Sequence, residues 1–157
     1  MAGTVEAIFI TPDAARPMMS IDEVKAISGE GLEGDRYFAK NGTWSKNDGP
    51  QRQVTLVEAE AVEAVARDYD IDVTGADTRR NIVTRGVALN HLVDRVFKVG
   101  DATFRGIRLC EPCKHLERVS GRAIRKPLVH RGGLNAEIVE DGMVRIGDSI
   151  EERDPIA

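Results

Sequence analysis

Short stretches of alternating apolar and polar residues, separated by Gly-Asp or Asp-Gly turns, recur along this chain and constrain its fold most strongly. The clearest are FKVGDATF at 97–104 and AEIVEDGMVRIGDSIE at 136–151. A glycine supplies the positive φ that a tight turn needs, so both stretches predict hairpins, the second at Asp141-Gly142. With only one long helical pattern beside them, they predict a mainly β protein. We expect a closed β-barrel of short strands decorated with one longer and a few short helices.

The remaining elements follow from apolar periodicity. Three further stretches have strand character: 4–10, 52–57 and 81–84. Apolar positions then recur at helical spacing after Glu58: Ala61, Val62, Val65 and Tyr69. They predict the longest helix, packed on a sheet, and Thr55 and Glu58 have the spacing of a capping box at its start. A short helical turn is predicted around 89–92 and a loop over 38–50.

The length and composition are those of one ordinary globular unit. The 157 residues include no linker or repeat, so we expect a single domain over 1–157. No apolar run approaches the roughly 20 residues that a membrane helix needs. The N-terminal stretch carries Glu6 and Asp13 where a signal peptide avoids acidic residues. We therefore expect a cytoplasmic protein, with no membrane and no nucleic acid among its partners.

Positive charge is concentrated in one part of the chain. Residues 79–131 contain 13 Lys and Arg against four Asp and Glu, although the whole chain has a net charge of −4. Both cysteines of the chain lie inside this segment. Its charges either pair with the acidic remainder of the protein or form an anion-binding groove near the cysteines.

The cysteines form a Cys-x-x-Cys motif in RLCEPCKHLER, residues 108–118. In a reducing compartment such a pair is more often catalytic or metal-binding than disulfide-bonded. Pro112 suits a helix start, and a short helix over 114–118 would place Cys113 in its first turn. The helix dipole and the neighbouring basic residues would stabilise a thiolate there, so we predict Cys113 as the reactive thiol. Cys110 is either a small buried residue or a resolving thiol.

Two other uses of the motif were weighed. Structural zinc at Cys110, Cys113 and His115 would need a fourth ligand, which His91 or His130 could supply in space. A thioredoxin-type redox pair would call for a βαβ context, which the strand pattern does not offer.

Two basic clusters are candidates for anion binding. In HRGG at 130–133, successive glycines let backbone amides approach an anion, and the arginine can grip a phosphate through two hydrogen bonds. In Arg79-Arg80-Asn81, strand alternation predicts that Arg80 faces the site while its neighbours face away, or the reverse. GLEGD is not a P-loop, because the Gly-Lys-Ser/Thr ending is absent.

Five segments, taken in order, resemble the MOSC domain family, found at the C-terminus of molybdenum cofactor sulfurases and as small standalone bacterial proteins. They are GLEGDRY, RQVTLVEAEA, TRRNIVTRGVALNHL, FKVGDATFRGIRLCEPCKHLE and HRGGLNAEIVEDGMVRIGD. They span nearly all of 31–148. The resemblance implies a barrel-like β fold and a pocket for the molybdenum–molybdopterin cofactor, with one cysteine as sulfur carrier or molybdenum ligand.

The resemblance also implies site residues. By motif position the cysteine is Cys113. The cofactor pocket is implied to include residues of the Gly-Asp-Arg, Arg-Asn and His-Arg-Gly segments: Arg36, Arg80, Asn81, His130, Arg131 and Gly132. Where the family often has histidine after Gly-Asp-Arg, this chain has Tyr37.

The leading hypothesis is a small reductase of N-hydroxylated compounds, with Cys113 as molybdenum ligand. Its partners would be a small-molecule substrate and an electron-donor protein, because no flavin or nicotinamide motif is recognisable. One alternative is a sulfur carrier that receives a persulfide on Cys113 from a cysteine desulfurase, for metal–sulfur cluster or cofactor assembly. The other is a non-enzymatic module with structural zinc at Cys110, Cys113 and His115.

Overall fold

The computed structural model describes residues 2–14, 16–38 and 52–153. The loop expected at 38–50 lies, apart from Phe38, outside the described residues. The strands are β1 Ala2–Ile10, β2 Met19–Ile21, β3 Glu23–Ile27, β4 Gly31–Leu32, β5 Val54–Glu58, β6 Ile82–Arg85, β7 Val96–Val99, β8 Ala102–Leu109, β9 Leu134–Glu140, β10 Gly142–Arg145 and β11 Ser149–Glu152. The helices are α1 Ala59–Tyr69 and α2 Lys114–Ser120, with 3₁₀ turns at Gly75–Thr78 and Leu89–Leu92.

Seven strands close a barrel. Going round it, β1 pairs with β11, then come β7, β8, β9, β5 and β6, and β6 returns to β1. The pairings are antiparallel except for β5 with β6, which run parallel. The short β2 continues the sheet from β1. The predicted mainly β fold with a closed barrel is therefore confirmed.

The first predicted hairpin is present as β7 and β8. They pair antiparallel around Gly100-Asp101, and Gly100 takes a positive φ of 58°. Opposite each other on the buried side, the rings of Phe97 and Phe104 meet edge to face with centroids 5.9 Å apart. The turn residues and the alternating pattern thus act together to fix the register.

The second predicted hairpin, at Asp141-Gly142, is wrong. β10 leaves β9 and pairs with β3, forming a three-stranded sheet with β4. One edge of β9 pairs with β8, and the other pairs with β5 at Leu134–Ala136 and then bonds to Gln53 and Gly29 through Ile138. The Asp141 carboxylate instead accepts the backbone N–H of Ser28 at 2.6 Å. A Cβ on Gly142 would lie 2.4 Å from the Asp101 carbonyl oxygen. The Asp-Gly pair therefore connects two sheets.

The longest predicted helix is present as α1, but its predicted capping box is wrong. Glu58 is the residue before the helix, with no side-chain cap, and its carboxylate accepts the backbone N–H of Leu89 at 3.1 Å. Thr55 lies within β5 and its hydroxyl donates to Asn81 Oδ1. Tyr69, expected on the packed face, is exposed at the helix end. No helix within the described ranges is long and apolar enough to cross a membrane.

Buried apolar side chains form two cores. The first joins the barrel strands to the three-stranded sheet and includes Ile8, Val24, Leu56, Phe97, Phe104 and Leu134. The second lies where the helices meet β5 and β6 and includes Val57, Val62, Val65, Val83, Leu116 and Leu128. Because α1 and α2 share the second core, the segment that carries the cysteines is anchored to the barrel by apolar burial.

Candidate functional site

Three barrel strands begin or end beside the middle of β5, and this edge of the barrel, called the rim below, carries the candidate site. The pairs Leu56 with Ile82, Leu56 with Leu134, and Leu109 with Leu134 place the starts of β6 and β9 and the end of β8 level with Leu56. The loop before β6 and the cysteine segment after β8 meet there, together with the first residues of β5. Loops grouped at one end of a rigid barrel are a common place for binding residues.

A cleft of about 430 Å³ opens at this rim. Its lining residues are Arg36, Tyr37, Arg52, Val54, Thr55, Arg79, Arg80, Asn81, Arg108, Leu109, Cys110, Glu111, Cys113, His115, Leu116 and Asn135. Five of them are arginines, and Glu111 is the one acidic residue among them. Both interpretations of the basic segment hold in part. Its residues Arg85, Arg95 and Arg105 pair with acidic residues outside the segment. Others, among them Arg79 and Arg108, line the cleft near the cysteines and make it positively charged.

Arg79, Arg80 and Asn81 all line the cleft, so the predicted alternation of these side chains is wrong. The residues precede β6, which begins at Ile82, and Arg79 adopts a left-handed conformation with φ of 64°. This conformation ends the 3₁₀ turn at Gly75–Thr78 and breaks the two-residue period that strand geometry would impose. The chain thereby presents two successive arginines to the same space.

Arg80 is buried and is bound to backbone carbonyls. Its Nε donates to the Gly132 carbonyl and its Nη2 to the Cys110 carbonyl, both at 2.8 Å. The side chain thus connects the cysteine segment to the 130–133 segment across the base of the cleft.

Arg36 is held by an acid at the edge of the cleft. Its Nη1 lies 3.2 Å from Oδ1 of the fully buried Asp35, and its guanidinium stacks over the Tyr37 ring at 4.7 Å. Its Nη2 donates to the Arg79 carbonyl at 3.4 Å. Asp35 also accepts the backbone N–H of Thr11. The Gly-Asp-Arg segment is therefore fixed both to the end of β1 and to the Arg79-Arg80 segment.

The arginines set the electrostatics of the cleft. Burial and then the neighbouring Arg36 guanidinium lower the pKa of Arg79 to about 10, so it is still charged at neutral pH. Burial, followed by the charges of Arg118, Arg79 and Arg36, also lowers the pKa of His115 below its ordinary value. The cleft thus disfavours an added proton on the His115 imidazole. An anion bound there would relieve the repulsion among the guanidinium groups.

Asn81 braces the strands beneath the cleft. Its Nδ2 donates to the Phe9 carbonyl at 3.1 Å, and its Oδ1 accepts the backbone N–H of Thr55 at 3.1 Å. With these partners on β1 and β5, the almost fully buried side chain bonds to protein on both of its ends. It lines the cleft wall, and its contacts are those of a structural brace.

Both cysteines line the cleft as free, half-buried thiols. The backbone N–H of Cys110 donates to the Gly133 carbonyl at 2.7 Å. The predicted short helix is present as α2, but Cys113 is the residue before it and not part of its first turn. Cys113 also packs against the second apolar core. The two thiols therefore stand on one wall, on a segment fixed at both ends.

The residues expected for zinc do not gather into a ligand set. Throughout 2–14, 16–38 and 52–153, no three or more His, Cys, Asp or Glu side chains are grouped so as to hold a metal ion. Cys110, Cys113 and His115 share the cleft without forming such a group. The chemistry of the cleft is that of guanidinium groups beside thiols.

His130, Arg131 and Gly132 lie behind the cleft and do not line it. His130 is exposed and binds Glu111, through its backbone N–H at 2.7 Å and through Nδ1 at 3.0 Å. Arg131 Nε donates to the Pro127 carbonyl at 2.8 Å. Gly132 offers its carbonyl to Arg80. The structure therefore brings this segment against the cysteine loop, with its side chains directed to protein partners.

Sequence reasoning missed several residues of the cleft. Tyr37, Arg52, Arg108 and Glu111 line it without having been predicted as site residues, and Arg79 was predicted only as the alternative to Arg80. Arg108 and Glu111 belong to the cysteine segment, and Arg79 is next to Arg80, so closeness to the motifs was an available signal. Arg52 lies just before β5, and no nearby motif marks it. It reaches the cleft because β5 pairs with β9.

The chain was compared with known families and structures. The model of the MOSC domain matches residues 45–151. No curated protein matches the chain significantly. The fold is similar to that of the YuaD protein from Bacillus subtilis, with 18% identity, a TM-score of 0.81, and coverage of 97% of this chain and 96% of that one.

Two further solved structures share the fold. YiiM from Escherichia coli has 19% identity and a TM-score of 0.69, with 98% of this chain and 71% of that chain covered. YiiM from Geobacillus stearothermophilus has 11% identity and a TM-score of 0.73, with 97% and 75% covered. At such identities the structural similarity concerns the fold alone. The family model spans most of the barrel and the whole cysteine segment, and the chain therefore belongs to the MOSC domain family.

Proposed function

We propose that the cleft binds the pterin form of the molybdenum cofactor and that Cys113 is its protein ligand to molybdenum. The observation that carries this proposal is the meeting of five arginines and two thiols around one cleft of about 430 Å³. A phosphorylated pterin needs guanidinium groups for its phosphate, and molybdenum in this cofactor favours soft sulfur ligands. The donor set of the described residues fits both needs.

The phosphate would be held by the arginines that project into the cleft. Arg79 and Arg108 carry charge there, and the described hydrogen bond of the Arg79 guanidinium goes to a carbonyl, that of Arg16, and not to an acid. Arg36, in contrast, already forms an ion pair with the buried Asp35. A phosphate would therefore compensate Arg79 and Arg108 first, because their charges are the less balanced ones.

The cofactor supplies two-electron redox chemistry when it is bound. The residues of the cleft would then bind and orient the cofactor. The arginines attract its anionic groups, and part of the wall is apolar, formed by Val54, Leu109 and Leu116. Burial, followed by the surrounding positive charge, lowers the pKa of His115, which favours its neutral form.

The reaction class that we propose is the two-electron reduction of N-hydroxylated compounds, taken from the family resemblance. Electrons would come from a donor protein, since the sequence offers no motif for flavin or nicotinamide. We expect a small neutral substrate, because the arginines of the cleft would bind the phosphate of the cofactor.

Cofactor content of purified variants tests the proposal. Protein made in a host that synthesises the molybdenum cofactor should contain equimolar molybdenum and pterin, measured by elemental analysis and by fluorescence of the oxidised pterin. Cys113→Ala should lose the molybdenum, whereas Cys110→Ala, the matched control from the same cleft wall, should keep it. Wild-type protein without pterin would refute the proposal, as would retention of molybdenum by Cys113→Ala.

A second candidate function is sulfur transfer, and the observation that favours it is the pair of free thiols in a basic cleft. Guanidinium groups stabilise a persulfide anion as they stabilise a thiolate. In this case a cysteine desulfurase would transfer sulfur to Cys113. Metal-free protein that accepts labelled sulfur on Cys113, and loses it on treatment with a dithiol, would favour this candidate over the first.

A further inference from the structure

We infer that Arg80 is a positioning residue for the cysteine segment and not a ligand for the bound anion. This inference rests on the proposed function, because it assigns a role within the proposed cofactor cleft. Its evidence, however, comes from contacts of the protein alone.

Arg80 uses one edge of its guanidinium to bind the protein backbone. Nε and Nη2 form one of the two edges with which an arginine can bind a phosphate through two parallel hydrogen bonds, and the other edge shares Nη2. In Arg80 this edge donates to the carbonyls of Gly132 and Cys110, at 2.8 Å each. The residue is 8% exposed, so little of it faces the open cleft. If an anion took these donors, two backbone carbonyls would lose their hydrogen bonds, which is unfavourable for buried polar groups.

Two glycines meet Arg80. A Cβ on Gly132 would lie 2.6 Å from the Cys110 carbonyl oxygen, and one on Gly133 would lie 2.1 Å from the Leu56 carbonyl oxygen. Gly133 also has a φ of 120°, which side-chain-bearing residues rarely adopt. The two glycines are thus required by close backbone approach to the cysteine segment and to β5. The glycines allow the 130–133 segment to approach the cysteine segment closely, and Arg80 joins the two segments by hydrogen bonds.

These contacts fix the first cysteine of the segment in place. The backbone of Cys110 is bonded on both sides, its N–H to the Gly133 carbonyl at 2.7 Å and its carbonyl to Arg80. Three residues later, Cys113 directly precedes α2 and packs on the second core. The junction of Arg80, Cys110, Gly132 and Gly133 therefore fixes the start of the segment, while apolar packing fixes its end. Both cysteines keep their places on the cleft wall because the segment between them is held at each end.

Hydrogen exchange in the cofactor-free protein tests this role. Arg80→Lys keeps the positive charge, but a single ammonium nitrogen cannot reproduce the two hydrogen bonds from Nε and Nη2 to the Gly132 and Cys110 carbonyls. Arg80→Lys should therefore speed exchange of the Cys110 amide about tenfold, as expected for weakening of one well-formed hydrogen-bonded junction. Amides of the β7–β8 hairpin should be unchanged, which separates loosening of the segment from general destabilisation.

The matched control is Arg79→Lys. Arg79 lines the same cleft and precedes Arg80, but its guanidinium bonds to the Arg16 carbonyl and not to the cysteine segment. Because both variants keep the charge of the cleft, only the Arg80 variant should alter the Cys110 amide. A folded Arg80→Lys protein with unchanged Cys110 exchange but weakened binding of inorganic phosphate would overturn the inference and make Arg80 an anion ligand.

A second variant reaches the junction from its other side. Gly132→Ala leaves Arg80 intact but presses a methyl group on the Cys110 carbonyl, so it should also speed Cys110 exchange about tenfold. Unchanged exchange in this variant would overturn the inference even if Arg80→Lys failed to fold. Cofactor content plays no part in these measurements, so a wild-type protein found without molybdenum would refute the proposed function alone.

Discussion

At the scale of single residues, the cleft is supported by side chains whose partners are other parts of the protein. Arg80 is bound to carbonyls, Asn81 to two strands, and Arg36 to Asp35. These residues were predicted from motifs as cofactor ligands, and the structure shows each of them supporting the cleft through hydrogen bonds. Residue type and sequence neighbourhood identify such positions, but they cannot distinguish a residue that binds a ligand from one that holds the binding loop.

Asp35 offers a prediction at this scale. It is fully buried and accepts from Arg36 and from the backbone of Thr11. Asp35→Asn would leave the Arg36 guanidinium without its buried counter-charge, and it should lower the free energy of unfolding by about 2–4 kcal/mol. Urea denaturation measures this difference.

The control for Asp35→Asn is Asp101→Asn. Asp101 is also paired with an arginine, Arg145, but both side chains are largely exposed. Such surface pairs contribute little, so the control should change the free energy of unfolding by about 0.5 kcal/mol or less. Equal losses in the two variants would contradict the assigned role of Asp35.

At the scale of elements, local patterns predicted the strands and helices better than their connections. Alternation and turn residues predicted β7, β8 and the hairpin between them, and apolar spacing predicted α1. The same turn rule failed at Asp141-Gly142, because both edges of β9 bond to other parts of the chain: to β8 on one side, and to β5, Gln53 and Gly29 on the other. Pairing of distant strands depends on competition for edges, and no local stretch carries that information. That Arg79 and Arg80 both line the cleft was not predicted, because the left-handed conformation of Arg79 interrupts the strand alternation of side chains.

Gly106 carries the prediction for this scale. It lies in β8 where the 3₁₀ turn at Leu89–Leu92 approaches, and a Cβ there would lie 2.1 Å from the Leu92 carbonyl oxygen. Because a backbone atom cannot yield as a side chain can, Gly106→Ala should cost about 3 kcal/mol or prevent folding. Thermal unfolding followed by circular dichroism measures the effect.

Gly121→Ala serves as the comparison for Gly106→Ala. Gly121 ends α2 with a positive φ of 69° and has no atom near the added methyl group. Only backbone strain of about 1 kcal/mol is expected there. The close approach at β8 would be refuted if Gly106→Ala were no less stable than Gly121→Ala.

At the scale of the whole molecule, the barrel acts as the support for one basic, thiol-lined rim. The mainly β class and the closed barrel were predicted from turns and alternation, and the family from the order of its motifs. The cleft itself could be predicted only in part, because it forms where four strands bring distant segments together. Arg52 and Arg108 are far apart in sequence, yet both line it because β5 and β8 flank β9.

The central claim is that Cys113 binds molybdenum in this cleft, and X-ray absorption at the molybdenum edge tests it most directly. We expect wild-type protein and Cys110→Ser to show the same sulfur shell around the metal. Cys113→Ser should show a shell with one sulfur scatterer fewer, because its hydroxyl replaces the thiolate. An unchanged sulfur shell in Cys113→Ser, or wild-type protein that contains no molybdenum, would contradict the account.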